Sequence, residues 1–194
     1  ETATRFLRID TRVCTSCHGP TGSDRSGRPM FSDIEMEEGT DMTSPSLTWD
    51  FVKRLKDMTT MKVLIKGLET REDALLAIRH GADGIVVSNH GGRAQDTGRG
   101  TLEGLAEIAP AVRGRIPIIV DGGVRRGSDA LKALALGATA VGIGRPYIWG
   151  LGAFGEAGVD RVLGILNNEL RLAMGGVGAR TVREITPAAI MRRP

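Results

Sequence analysis

Apolar residues along this chain gather in short continuous runs that alternate with stretches of helical spacing. The runs are Val63-Leu64-Ile65, Ile85-Val86-Val87, Ile118-Ile119-Val120 and Ala140-Val141-Gly142-Ile143. Each is short and followed by Lys, Ser, Asp or Gly, the mark of a buried strand. Thr48 is placed to cap a preceding helix with Phe51, Val52 and Leu55 on one face, ending near Met58. Thr70 opens a second helix, with Asp73 at the capping-box position, Leu75 and Ile78 inward and Gly81 as the stop. A third begins near Leu102 and carries Leu105, Ile108 and Val112 on one stripe, with Pro110 expected to kink or shorten it. Ser128 is expected to cap a fourth helix through Leu131 and Leu134, ended by Gly137. The last turns Val159, Val162, Leu163, Leu166 and Leu170 inward and stops at Gly175-Gly176.

Strands alternating with capped helices imply βα units in a parallel sheet buried on both faces. Four such units are present, whereas a closed (β/α)8 barrel needs eight strands and typically about 250 residues. The fold class is therefore α/β: half a TIM barrel, or a small open sheet. The regular pattern starts only near residue 46. Residues 1–45 are polar and turn-rich apart from a short helical pattern around Thr2 to Leu7, and they read as an irregular loop segment. Residues 46–194 are the α/β segment. The chain starts at Glu1 without an initiator Met, and is expected to be a piece of something longer.

Composition narrows the partners. With 194 residues and 41% hydrophobic content, the chain can bury one sizeable core. Its 26 basic and 23 acidic residues are scattered and aromatics are only 4%, so no nucleic-acid surface of clustered cations and stacking rings is expected. No apolar run approaches the roughly 18 residues that span a bilayer, and no signal peptide is visible. A cytoplasmic protein is the expectation.

In α/β folds the reactive side chains collect just past the carboxyl ends of the strands. Lys66 ends the first run, Ser88-Asn89-His90 the second, Asp121 the third and Gly144-Arg145 the fourth. Imidazole titrates near neutrality, so His90 is the candidate general base. Arg93, three residues on, offers a planar fork for a carboxylate. Lys66, leaving a buried strand, needs an anionic partner. Asp121-Gly122-Gly123-Val124-Arg125-Arg126-Gly127 and Gly142-Ile143-Gly144-Arg145 present bare backbone N–H groups and guanidinium groups suited to phosphate. Each has a plainer reading: a loop histidine bonding its neighbours, a solvated arginine, a structural ion pair, a tight turn. Their succession at four strand ends is not needed for core packing, and favours a base, an anion clamp and a phosphate cradle.

One motif points elsewhere. Cys14-Thr15-Ser16-Cys17-His18 spells the covalent haem-attachment pattern CxxCH, which would make a haem-binding electron-transfer module. A zinc site would lack an evident fourth ligand, so no metal is expected. The plain alternative is a loop with two free thiols.

Ile65-Lys66-Gly67, Ser88-Asn89-His90-Gly91-Gly92-Arg93, the Asp121–Gly127 stretch and Gly142-Ile143-Gly144-Arg145-Pro146 together resemble the FMN-dependent α-hydroxy acid dehydrogenase and oxidase family, the glycolate and lactate oxidase kind. The likeness runs from about Leu47 to Ile190 and implies the C-terminal half of a (β/α)8 barrel. It implies FMN as cofactor and oxidation of a small 2-hydroxy acid to the 2-keto acid, with electrons passing to flavin N5. By that resemblance Lys66 stands at the N1–O2 edge of the flavin and steadies its anionic reduced form, and Ser88 lies near the ring. His90 is the base and Arg93 pairs with the substrate carboxylate. Asp121, Gly122, Gly123 and Arg125 hold the ribityl phosphate, with Gly144 and Arg145 completing its site. Members of the family are about twice this long. The other half supplies four strands and the remaining flavin and substrate contacts. Alone, the chain is expected to bind FMN weakly or not at all, to turn over negligibly and to form a homo-oligomer through its open sheet edges. A catalytically silent phosphate-binding piece is a further alternative.

Overall fold

The computed structural model describes residues 48–92 and 98–191. The loop segment 1–45 with Cys14, Cys17 and His18, and the clamp candidate Arg93, lie outside the described residues. The described elements are α1 (Asp50–Met58), β1 (Leu64–Leu68), α2 (Arg71–Arg79), β2 (Gly84–Val87), α3 (Thr101–Val112), β3 (Ile118–Val120), α4 (Gly127–Ala135), β4 (Ala140–Val141) and α5 (Arg145–Gly176). Single turns of 3-10 helix follow at Val182–Glu184 and Pro187–Ala189.

The strands form one parallel sheet in the order β1-β2-β3-β4, the arrangement of consecutive units in a βα barrel. Ile85 pairs with Ile118 and Val87 with Val120, so these four share a face. That face packs on Ala74 and Ala77 of α2, on Leu105, Ile108 and Val112 of α3 and on Ala133 of α4. Ile85, Val87, Leu105, Ile108, Val112 and Val120 are fully buried. The opposite face is different: Val86 and Ile119 are only half-buried and Leu64 of β1 is 41% exposed. The expectation of burial on both faces is therefore corrected. The helices cover one side of these four strands, and no described element covers the other.

Several local expectations shift for physical reasons. Thr48 does not cap α1; Trp49 holds the N-cap position without a side-chain bond, and Phe51 stays exposed while Val52 is buried. Thr70 does cap α2, accepting a bond from the Asp73 N–H at 3.2 Å. The fully buried residues of α2 are Ala74 and Ala77, with Leu75 and Ile78 half-buried. Pro110 leaves α3 running to Val112, where Arg113 ends it in the left-handed region. α4 begins at Gly127, and Asp129 rather than Ser128 does the capping: its carboxylate accepts from the N–H groups of Arg125 and Arg126 at 3.1 and 2.9 Å. β4 is only two residues long. α5 is broken at Phe154 and Gly155, which leave helical geometry (φ 60° at the glycine). Its later part turns Val159, Val162, Leu166 and Leu170 partly inward, but Leu163 is exposed.

Asp83 fastens α1 to the sheet. Its carboxylate accepts from Lys56 Nζ at 2.7 Å and from the Val63 N–H at 2.9 Å. The Lys56 ammonium, then the Val63 N–H, hold its carboxyl at about 2, below the ordinary 3.8. A carboxyl depressed by folding stabilises above its unfolded value and ceases to do so as pH falls through its folded value. Asp83→Asn is therefore expected to lower the melting temperature at neutral pH. The gap from the parent should close as pH falls from about 4 toward 2 in melting curves followed by circular dichroism.

Candidate active site

The polar groups at the sheet's carboxyl edge meet in one place. Lys66 lies inside β1 rather than at its end, because the strand continues to Leu68 through an irregularity at Gly67 (φ 94°). The side chain of Lys66 donates to Ser88 Oγ at 2.9 Å and pairs with Asp121 Oδ2 at 3.4 Å. Ser88 is fully buried, and its Oγ also accepts from the His90 N–H at 3.2 Å. One hydroxyl thus joins the lysine of the first strand to the backbone of the histidine after the second.

The His90 loop is shaped by its backbone. His90, Gly91 and Gly92 all have positive φ (53°, 71° and 76°), a conformation that glycine adopts freely and histidine does not. A non-glycine residue held there marks a place where the surroundings over-determine the chain. The supports are identifiable. The Gly92 N–H donates to Asn89 O at 2.9 Å and to Asn89 Oδ1 at 3.2 Å. Arg145 Nη2, at the start of α5, donates to Gly91 O. The imidazole lies over Gly67, where a Cβ would stand 2.9 Å from His90 Cε1.

The third and fourth strands end in open glycine backbone. Gly122 and Gly123 are left-handed (φ 89° and 80°), and Thr101 Oγ1 donates to Gly122 O at 3.1 Å. The N–H groups of Gly123, Gly144 and Arg145 find no acceptor among the described residues. A Cβ on Gly123 or Gly144 would meet nothing within 4 Å among them. The guanidinium of Arg125 sits 5.7 Å from the centroid of the Trp149 ring. Arg126 turns away to Glu169 at 2.8 Å, and the same carboxylate accepts from the Gly127 N–H at 2.9 Å. The Gly127 N–H and Arg126 hold Glu169 below the usual carboxylate range.

The structure brings Lys66, Ser88, His90, Asp121, Gly122, Gly123, Arg125, Gly144 and Arg145 to one edge of the sheet. The sequence reading missed three contributors there: Thr101, which fastens the Gly122 turn, and Trp149 and Glu169 on α5. Thr101 carries a sequence signal, a hydroxyl residue directly before the helix expected from Leu102; Trp149 and Glu169 depend on a packing that no local pattern reports.

Consecutive βα units in a parallel sheet, with a histidine, a lysine and open glycine backbone gathered at the carboxyl edge, have the architecture of a βα-barrel protein with its site at that edge. Residues 7–192 match the model of the FMN-dependent dehydrogenase family. The chain belongs to this family, and FMN is its cofactor. It is 54% identical over 149 residues to a 2-hydroxyacid oxidase of Dictyostelium discoideum, covering 77% of this chain and 38% of that protein. Among solved structures, a mandelate oxidase variant with a monooxide FMN adduct superposes with a TM-score of 0.68 at 47% identity, covering 74% of this chain and 44% of that one. A flavocytochrome b2 variant with pyruvate bound gives 0.73 at 41% identity, covering 75% and 39%. The chain thus spans well under half the length of the relatives it matches, and its four strands are part of a (β/α)8 barrel. The open glycine backbone, unpaired N–H groups and Arg125 fit the phosphate of FMN.

Proposed function

We propose that this chain carries the base, substrate clamp and phosphate cradle of an FMN-dependent enzyme that oxidises a small 2-hydroxy acid to its 2-keto acid. The observation that carries the reading is the junction at Ser88, whose hydroxyl ties the Lys66 ammonium to the backbone of His90. In this reading residues 46–194 are the C-terminal half of the barrel. FMN, when bound, supplies the acceptor for the two electrons that leave the substrate α-carbon.

His90 takes a proton from the substrate, and its imidazole is steered by the left-handed loop and the Gly67 surface beneath it. Arg93 holds the substrate carboxylate by a charge-assisted fork. Lys66 places positive charge at the carboxyl edge of β1, where negative charge would grow on the cofactor. Asp121, 3.4 Å away, orients that ammonium. Gly122, Gly123, Arg125, Gly144 and Arg145 take the phosphate. Arg145 also fastens the Gly91 carbonyl, so the cradle and the catalytic loop share a side chain.

These four units supply one wall of the pocket. The chain by itself is expected to bind FMN weakly, chiefly through the phosphate, and to give negligible turnover with glycolate, lactate or mandelate. Equilibrium dialysis and anaerobic absorbance of the purified chain test this. Rapid substrate-dependent bleaching of FMN on the chain alone would overturn the single-wall reading.

A further inference from the structure

Two arginines follow the Gly122-Gly123 turn, and the structure gives them different tasks. Arg126 is 2.8 Å from Glu169, so its charge is paired and directed at the far part of α5. Arg125 has no carboxylate partner among the described residues; its guanidinium lies instead near the face of Trp149. The distinction matters chemically. A carboxylate would cancel the charge of Arg125 and compete with any incoming anion. An aromatic face attracts the guanidinium through its quadrupole and leaves the net charge intact. Trp149 sits in α5 shortly after Gly144-Arg145, so the ring starts from the same backbone that forms the fourth strand's share of the cradle. It is 55% exposed, so burial in the core does not account for an indole at this position.

We infer that Trp149 is a positioning residue for the phosphate site, holding the Arg125 guanidinium beside the Gly123 and Gly144 backbone without neutralising it. The inference rests on the FMN reading above and assigns the phosphate contact of the arginine pair to Arg125 alone. Restricting a long side chain beforehand removes part of the ordering cost that an anion would otherwise meet on binding.

The test compares FMN with riboflavin, which lacks the phosphate, by equilibrium dialysis against the chain and its Trp149→Leu, Trp149→Gln, Trp149→Phe and Arg125→Ala forms. Circular dichroism reports folding, and riboflavin reads whatever binding does not involve the phosphate. The parent is expected to prefer FMN by about tenfold or more, and Arg125→Ala to abolish most of that preference. Trp149→Leu, which keeps apolar bulk, and Trp149→Gln, which suits an exposed site, should each weaken FMN by about two- to fivefold and leave riboflavin unchanged. Trp149→Phe should retain most of the preference. An unchanged FMN-to-riboflavin ratio in the leucine and glutamine forms, or an equal loss for both ligands, overturns the positioning role. A parent that does not distinguish the two ligands, or an Arg125→Ala form that still does, overturns the phosphate reading beneath it.

Discussion

Replacing His90 by alanine in a complete barrel that carries this chain is expected to slow substrate-dependent bleaching of FMN by about 10²- to 10⁴-fold, the range that a positioned general base supplies. FMN binding should change little, because the imidazole is not part of the glycine and arginine cradle. The expectation rests on how much of the molecule serves to place this ring. His90 holds φ 53° between a hydroxyl that accepts from its N–H and two left-handed glycines, one of them fastened by Arg145. Such a backbone is unfavourable for a side chain with a Cβ by about 1–2 kcal/mol, and alanine has no imidazole with which to make use of it. Stopped-flow absorbance under anaerobic conditions reads the effect. A His90→Ala barrel that bleaches at the parent's rate would remove His90 from the chemistry.

Replacing Gly127 by alanine is expected to destabilise the chain by crowding backbone against backbone. Gly127 opens α4 and lies against the α5 backbone at Glu169 and Leu170; an added Cβ would stand 2.6 Å from Glu169 Cβ and nearer still to backbone atoms. Backbone cannot rotate out of the way as a side-chain tip can, so α4 and α5 must separate. The move would also strain the Gly127 N–H bond to Glu169 and the Arg126 pair beside it. Overpacking of this kind destabilises by about 1–3 kcal/mol. For a chain of this length that lowers the melting temperature by roughly 2–12 °C. The damage should extend to function, since the same turn carries Gly123 and Arg125. Thermal melting of Gly127→Ala beside Gly164→Ala, an added methyl in α5 that meets nothing within 4 Å, separates crowding from a general helix effect. Equal melting temperatures for the two would contradict the close packing of α4 on α5.

How much of this was legible in the sequence follows from how local each signal is. Strands β2 and β3 declared themselves because Ile85-Val86-Val87 and Ile118-Ile119-Val120 are apolar and short, and their registers follow from a regular parallel sheet. The Thr70–Asp73 cap was legible for the same reason, being a contact within one turn. The site candidates were legible because chemistry collects at strand ends, and four successive ends carried polar or glycine groups. Lys66 was misplaced by two residues because the irregularity at Gly67 lets β1 continue, and a bulge depends on the neighbouring strand. Ser128 was a reasonable cap by type, but Asp129 reaches the free N–H groups of Arg125 and Arg126. The stripe on α5 is legible from periodicity, with Val159, Val162, Leu166 and Leu170 partly buried and only Leu163 exposed, while the break at Phe154 and Gly155 has no such periodic signal. Trp149 over Arg125 and Glu169 on Gly127 join elements far apart in the chain, and nothing near either residue announces its partner.

The central claim is that this carboxyl edge is one wall of an FMN site for 2-hydroxy acids. Anaerobic mixing of a complete, FMN-loaded barrel carrying this chain with glycolate, lactate and mandelate, beside acetate, propionate and phenylacetate that lack the hydroxyl, tests it most directly. At least one 2-hydroxy acid is expected to bleach the FMN absorbance and leave an equivalent of the matching 2-keto acid, with no bleaching by the deoxy acids. FMN that stays bound and unbleached with every 2-hydroxy acid of the panel would contradict it.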